Sequence, residues 1–157
     1  MVSPELLRRY PFFGCLDETQ TKALAMIAEE VACARGVQIF AEGEPARYLD
    51  LLMEGSVDLF FIASRDPRDQ LLVGEINPGE PFSISAMIEP YLLTSSAVAA
   101  THCRLLRLDA PALRALCEVD CRLGYTLMRQ LATVAIRRLD TTRIQLAAAR
   151  KEERVPA

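Results

Sequence analysis

Between Val31 and Leu108 the chain is punctuated so often that no long element can form there. Short β-prone runs fall at 37–40, 49–53, 56–62, 70–76, 96–100 and 104–108. Gly43, Pro45, Gly55, Pro67, Pro78, Gly79, Pro81 and Pro90 lie between them. Short strands at this spacing predict an antiparallel barrel or sandwich. Gly55, set between two such runs, reads as a tight turn.

The flanks read as helices. Ser3 is placed to cap a short helix over 4–9, with Pro4 at its first position. The run from Pro11 to Gly14 breaks it. Asp17 and Gln20 have capping-box spacing, and Leu24, Ile27 and Ala28 form an i, i+3, i+4 stripe, so 18–29 reads as a second helix. Asp109 is placed to cap a helix over 110–117, with Pro111 in its first turn. Asp120 then caps a helix that meets no strong breaker until about Arg150, a length that suggests a coiled-coil partner. The expected organisation is a helical segment at 1–30, a β core at 31–109, helices at 110–150 and a tail at 151–157, one domain overall.

Composition narrows the class. Of 157 residues, 51% are hydrophobic and 25% charged, enough to bury a core without disulfides or metal. No apolar run is long enough to span a membrane. Glu5, Arg8 and Arg9 interrupt the N-terminus, so no signal peptide is expected and a cytoplasmic location is. Five cysteines, an odd number, argue against a disulfide framework and for thiols packed as small hydrophobes. Cys117 and Cys121, four apart, would share a face if one helix held both. His102 is the single histidine, too few for a facial-triad metal site. No nucleophile–base arrangement is evident, so neither an enzyme nor a cofactor is expected.

The last helix has an uneven surface. Leu123, Leu127, Leu131 and Val134 lie along one row, and Tyr125, Met128, Ala132, Ile136 and Leu139 along another. One row can pack on the same chain. The other then predicts a parallel partner helix in a homodimer, with Leu123, Leu127, Met128, Leu131, Val134, Ile136 and Leu139 as seam candidates. From Arg122 onward positive residues outnumber negative by five, in a chain of net charge −3. A solvated helix whose cations suit its C-terminal dipole explains this; an anionic partner is the alternative.

The element order resembles the effector domain of the catabolite-activator/Fnr superfamily, the cyclic-nucleotide-binding β-roll. Gly43-Glu44-Pro45-Ala46, then Leu49-Asp50-Leu51-Leu52, then Gly55 match its first motif, with Asp50 departing from a run of four apolar residues. The stretch 103–109 resembles the strand that leads into the family's short helix. The resemblance covers roughly residues 10–148. It implies a mainly β fold with flanking α: an antiparallel, jelly-roll-like double-stranded β-roll with N-terminal helices and a long C-terminal dimerisation helix.

It also implies a phosphate cassette in which Gly, Glu and Arg contact the cyclic nucleotide. Here Phe82-Ser83-Ile84-Ser85 and Leu93-Thr94-Ser95-Ser96 stand in that frame, with Ser83 for Gly, Ile84 for Glu and Leu93 for Arg. No Lys or Arg occurs from Asp69 to Cys103. Losing one charged hydrogen bond from each of Arg and Glu costs roughly 3–6 kcal/mol, or about two to four decades of affinity. Ordinary cyclic-nucleotide binding is therefore not expected. Ser83, Ser85, Thr94, Ser95 and Ser96 are either neutral donors to a small polar ligand or turn residues satisfied by backbone, and the second reading is preferred.

Regulators of this family continue into a helix-turn-helix, whereas this sequence stops after the long helix, so direct sequence-specific DNA binding is not expected. The expected function is a regulatory or interaction module with a degenerate cassette. The alternative is a small-ligand sensor, a cyclic nucleotide still among its candidates, that signals through its dimer helix. A related full-length regulator is a second possible partner for that helix.

Overall fold

A computed structural model describes residues 1–151; the tail expected at 151–157 lies, Lys151 apart, outside the described residues. Helix α1 (Pro4–Arg8), a 3-10 turn (Pro11–Phe13) and α2 (Glu18–Met26) lead into strands β1 (Ala28–Cys33), β2 (Gln38–Phe40), β3 (Tyr48–Glu54), β4 (Val57–Ile62) and β5 (Gln70–Ile76). After them come β6 (Pro81–Phe82), a second 3-10 turn (Ile84–Met87), β7 (Ser96–Ala99) and β8 (Cys103–Asp109). Helices α3 (Ala110–Val119) and α4 (Cys121–Ala149) close the order.

The strands form two antiparallel four-stranded sheets, β1-β8-β3-β6 and β2-β7-β4-β5. This is the expected β-roll with flanking helices. Strand β3 is buried from Leu49 to Met53 because both its faces are covered. Leu49, Leu51 and Met53 join Leu106 and Leu108 of β8 in a core with Leu7, Phe13, Leu24, Leu113, Leu123 and Leu127 of the helical layer. Leu52 and Leu105 point the other way, into a second core inside the roll with Val57, Ile76 and Phe82. Each fully buried leucine contributes about 1.5–3 kcal/mol.

Capping fixes where the helices start. Asp17 and Gln20 complete a reciprocal capping box on α2. The side chains of Asp109 and Asp120 accept from the backbone of Ala112 and Leu123. Gln20 also donates to Asp120, tying α2 to the start of α4. Gly55 turns β3 into β4 at φ +97°, and a β-carbon there would collide with the His102 carbonyl.

Several expectations need correction. Ser3 makes no side-chain cap on α1. Helix α2 stops at Met26, and Ala28 already pairs with Leu108 in β1: the sheet edge of β8 overrides the helical stripe. Helix α3 runs to Val119, so Asp120 separates Cys117 from Cys121 and the two thiols do not share one helix. Strand β6 falls outside the expected runs: it has only two residues and begins at a proline. Among the described residues no helix is long and apolar enough to cross a membrane.

Candidate functional site

A cavity of about 280 Å³ lies between the roll interior and α4. Phe82, Ser83, Ile84, Ser85, Leu93, Thr94 and Ser95 all line it, so the structure gathers residues from both halves of the cassette frame. Ser96 does not reach it. That side chain is buried, and its hydroxyl accepts from the Glu42 amide at 3.0 Å. Phe82 is fully buried and packs against Phe40, with ring centroids 6.0 Å apart.

The five hydroxyls thus divide. Ser83 and Ser96 serve the fold. Ser85, Thr94 and Ser95 have no side-chain hydrogen bond among the described residues and line the cavity. Ser83 adopts the left-handed conformation, φ 52° and ψ 38°, where the family uses glycine. Its Oγ lies 2.8 Å from the Tyr48 carbonyl oxygen, 2.7 Å from its neighbour's at Phe82 and 3.1 Å from Asp50 Oδ2, and accepts from the Asp50 amide at 3.2 Å. These bonds hold a turn that costs a non-glycine residue about 1–3 kcal/mol. Ser83→Ala leaves buried polar groups of Asp50 short of a partner and is expected to lower unfolding free energy by about 1–3 kcal/mol. Urea denaturation checks this.

Asp50, the departure from the apolar run, lies inside the roll opposite Arg107 of β8. Arg107 Nε donates to Asp50 Oδ1 at 2.7 Å. Burial pushes the Asp50 carboxyl up from its ordinary value, against the pull of Arg107 and Ser83. Residue 50 tolerates a charge because a cross-strand cation comes with it.

Sequence reading missed Phe40, Leu59, Ile88 and, above all, Arg138 of α4. Arg138 Nη2 donates to the Pro81 carbonyl. Burial lowers its pKa, against the charge of Glu80. The cassette strands supply no cation to the cavity, as the sequence shows, but the helix does. Helical spacing held the signal, since Arg138 lies seven residues beyond Leu131 and continues the buried row Leu123, Leu127, Leu131. The cassette is also tied to α3, where Arg114 Nη1 donates to the Ala86 carbonyl at 2.6 Å and the guanidinium stacks 3.9 Å from the Tyr91 ring centroid.

Among the seam candidates, Leu123, Leu127 and Leu131 are buried in the chain's own core, and Val134 packs partly against it. Met128, Ile136 and Leu139 are exposed at 38%, 60% and 48%, as is Tyr125. The two rows therefore face different ways.

The family profile for the cyclic nucleotide-binding domain matches residues 30–120. The chain belongs to that family. Its β-roll and long helix place this cyclic nucleotide-binding domain in the catabolite-activator/Fnr superfamily. It is 32% identical over 143 residues to a CRP-like cAMP-activated global transcriptional regulator of Mycobacterium tuberculosis, covering 91% of this chain and 61% of that protein. The chain thus spans about three fifths of the length of that relative. Among solved structures it is similar to a candidate cyclic nucleotide-binding protein from Geobacter metallireducens, with 38% identity, a TM-score of 0.80, and coverage of 88% of this chain and 99% of that one. It is also similar to the N-terminal domain of a transcriptional regulator from Streptomyces coelicolor, with 32% identity, a TM-score of 0.65, and coverage of 87% and 94%.

Proposed function

We propose that this cyclic nucleotide-binding domain is a regulatory module that has lost cassette-based recognition of cyclic AMP and acts through its dimer helix. The observation that carries the reading is the apolar cavity wall at Ile84 and Leu93, where the resemblance calls for Glu and Arg. A phosphate desolvated against that wall finds no cassette cation. The Arg138 guanidinium, engaged with the Pro81 carbonyl from the helix side, does not replace the pair of ligand contacts that the missing residues would make.

The test restores the chemistry. Ser83 already holds the left-handed turn and is needed by Asp50, so the variant carries only Ile84→Glu and Leu93→Arg. Cyclic AMP affinity is expected to rise by about two to four decades, read by isothermal titration. No gain in a folded variant would refute a loss confined to these two positions.

The exposed row of α4 supports a homodimer. A related full-length regulator presenting the same seam would be captured as a heterodimer, which co-purification of tagged and untagged forms tests. We further propose a cytoplasmic, non-enzymatic module that makes no sequence-specific DNA contact through these residues. Helix α3 buries Leu113, and the first half of α4 commits Leu123, Leu127 and Leu131 to the same core; the exposed row further along α4 is the one this reading assigns to a partner helix.

A further inference from the structure

Behind the cassette lies a second cavity of about 260 Å³, which shares Phe40, Ser83 and Leu93 with the first as a common wall. Its other lining comes from β2, the turn between β2 and β3, and the paired strands β3 and β8, and α4 contributes nothing to it. Arg107 stands on its wall with its plane fixed. Nε and Nη2 reach the two oxygens of Asp50, at 2.7 and 3.4 Å, and the guanidinium lies 4.2 Å from the Tyr48 ring centroid. Nη1 has no protein partner among the described residues. A cation held by a carboxylate and an aromatic face, with one edge unengaged beside a cavity, is a preorganised receptor for a planar anion such as a carboxylate.

The rim adds one charge of each sign. Glu44 and Arg47 both line the cavity and are exposed, and neither side chain has an ion pair or hydrogen bond among the described residues. Asp50 is already neutralised by Arg107, so the lining presents balanced charge beside the apolar surface of Ile39, Phe40 and Leu93. A balanced lining gives little to an ion of one sign and most to a molecule that carries both.

We infer that this second cavity is a binding site for a small zwitterion with an apolar side chain, an aliphatic α-amino acid. Its carboxylate meets Arg107 Nη1 and Arg47, its ammonium meets Glu44, and its side chain lies on Phe40 and Leu93. The site shares Leu93 with the cassette wall but uses neither Ile84 nor Arg138, so its failure and that of the cassette reading are distinguishable.

The probe is L-leucine, titrated calorimetrically into the full chain without nucleotide. N-acetyl-L-leucine, which lacks the ammonium, and L-leucinamide, which lacks the carboxylate, are the comparison arms. L-leucine is expected to bind, and each capped analogue to bind at least about tenfold more weakly. Glu44→Gln should cost L-leucine about the same factor and leave L-leucinamide no better. Because Glu44 is an exposed loop residue, the variant should keep its fold, which circular dichroism verifies. No heat at millimolar L-leucine, valine or isoleucine overturns the inference. So does equal binding of the capped analogues, or binding by Arg138→Ala reduced as much as by Glu44→Gln.

Discussion

Arg107→Ala is expected to lower the unfolding free energy by about 3 kcal/mol, the lower end of the cost of orphaning a buried charge. The lower end applies because the Arg107 side chain is 18% exposed, whereas that of Asp50 is 1% exposed. The loss falls on Asp50, whose remaining side-chain partner is the single hydroxyl of Ser83. It also has a pH signature. Burial already raises the Asp50 carboxyl, and Arg107 is the largest influence opposing it. A carboxyl raised on folding lends its full stabilisation below the unfolded value of about 3.9, and that stabilisation is lost as pH rises through the folded value. Removing Arg107 moves the folded value higher. The deficit of Arg107→Ala should therefore be largest near neutral pH and shrink on acidification. Adding Asp50→Asn to it should recover part of the loss at neutral pH, since a neutral amide is far less costly to bury. Urea melts across pH check both statements; a pH-independent deficit would show that Asp50 is not held as a buried charge.

The second large effect concerns assembly. Sedimentation equilibrium is expected to give about twice the monomer mass, and Ile136→Glu to return the protein to monomer with its fold intact. Ile136 is 60% exposed, and Leu139 continues its row, so an apolar strip faces outward along a helix of 29 residues, roughly 44 Å at the α-helical rise. A twofold-related copy of α4 covers it by an isologous contact. A charge at Leu131 acts differently. That side chain is only 4% exposed in the chain's own core, so Leu131→Glu should unfold the protein rather than divide a dimer. Equal behaviour of the two variants would contradict the assignment of the rows.

The roll was legible in the sequence because its turns are. The breakers from Gly43 to Pro90, Pro81 of β6 apart, mark the gaps between strands, and β5 falls at the expected 70–76. Capping aspartates marked where α2, α3 and α4 begin, because a cap is a local hydrogen bond. Strand β1 was not legible: its register is set by β8, some 75 residues away, and its first residues also satisfy a helical stripe. The cassette frame was legible by spacing, yet sorting its hydroxyls needed the structure. Ser83 meets Asp50 across 33 positions and Ser96 meets Glu42 across 54, separations that no local pattern records. Arg138 was half-legible, since the helical row pointed to it but nothing local showed that the row ends over the cavity. Asp50 looked like an imperfection in an apolar run until strand pairing set Arg107 opposite it.

If this domain keeps the cyclic-nucleotide frame without cassette recognition, isothermal titration of cyclic AMP into the unaltered full chain shows no saturable binding at micromolar nucleotide. A one-to-one isotherm in that range, weakened when the cavity wall is altered by Ser95→Ala or Arg138→Ala, would contradict it.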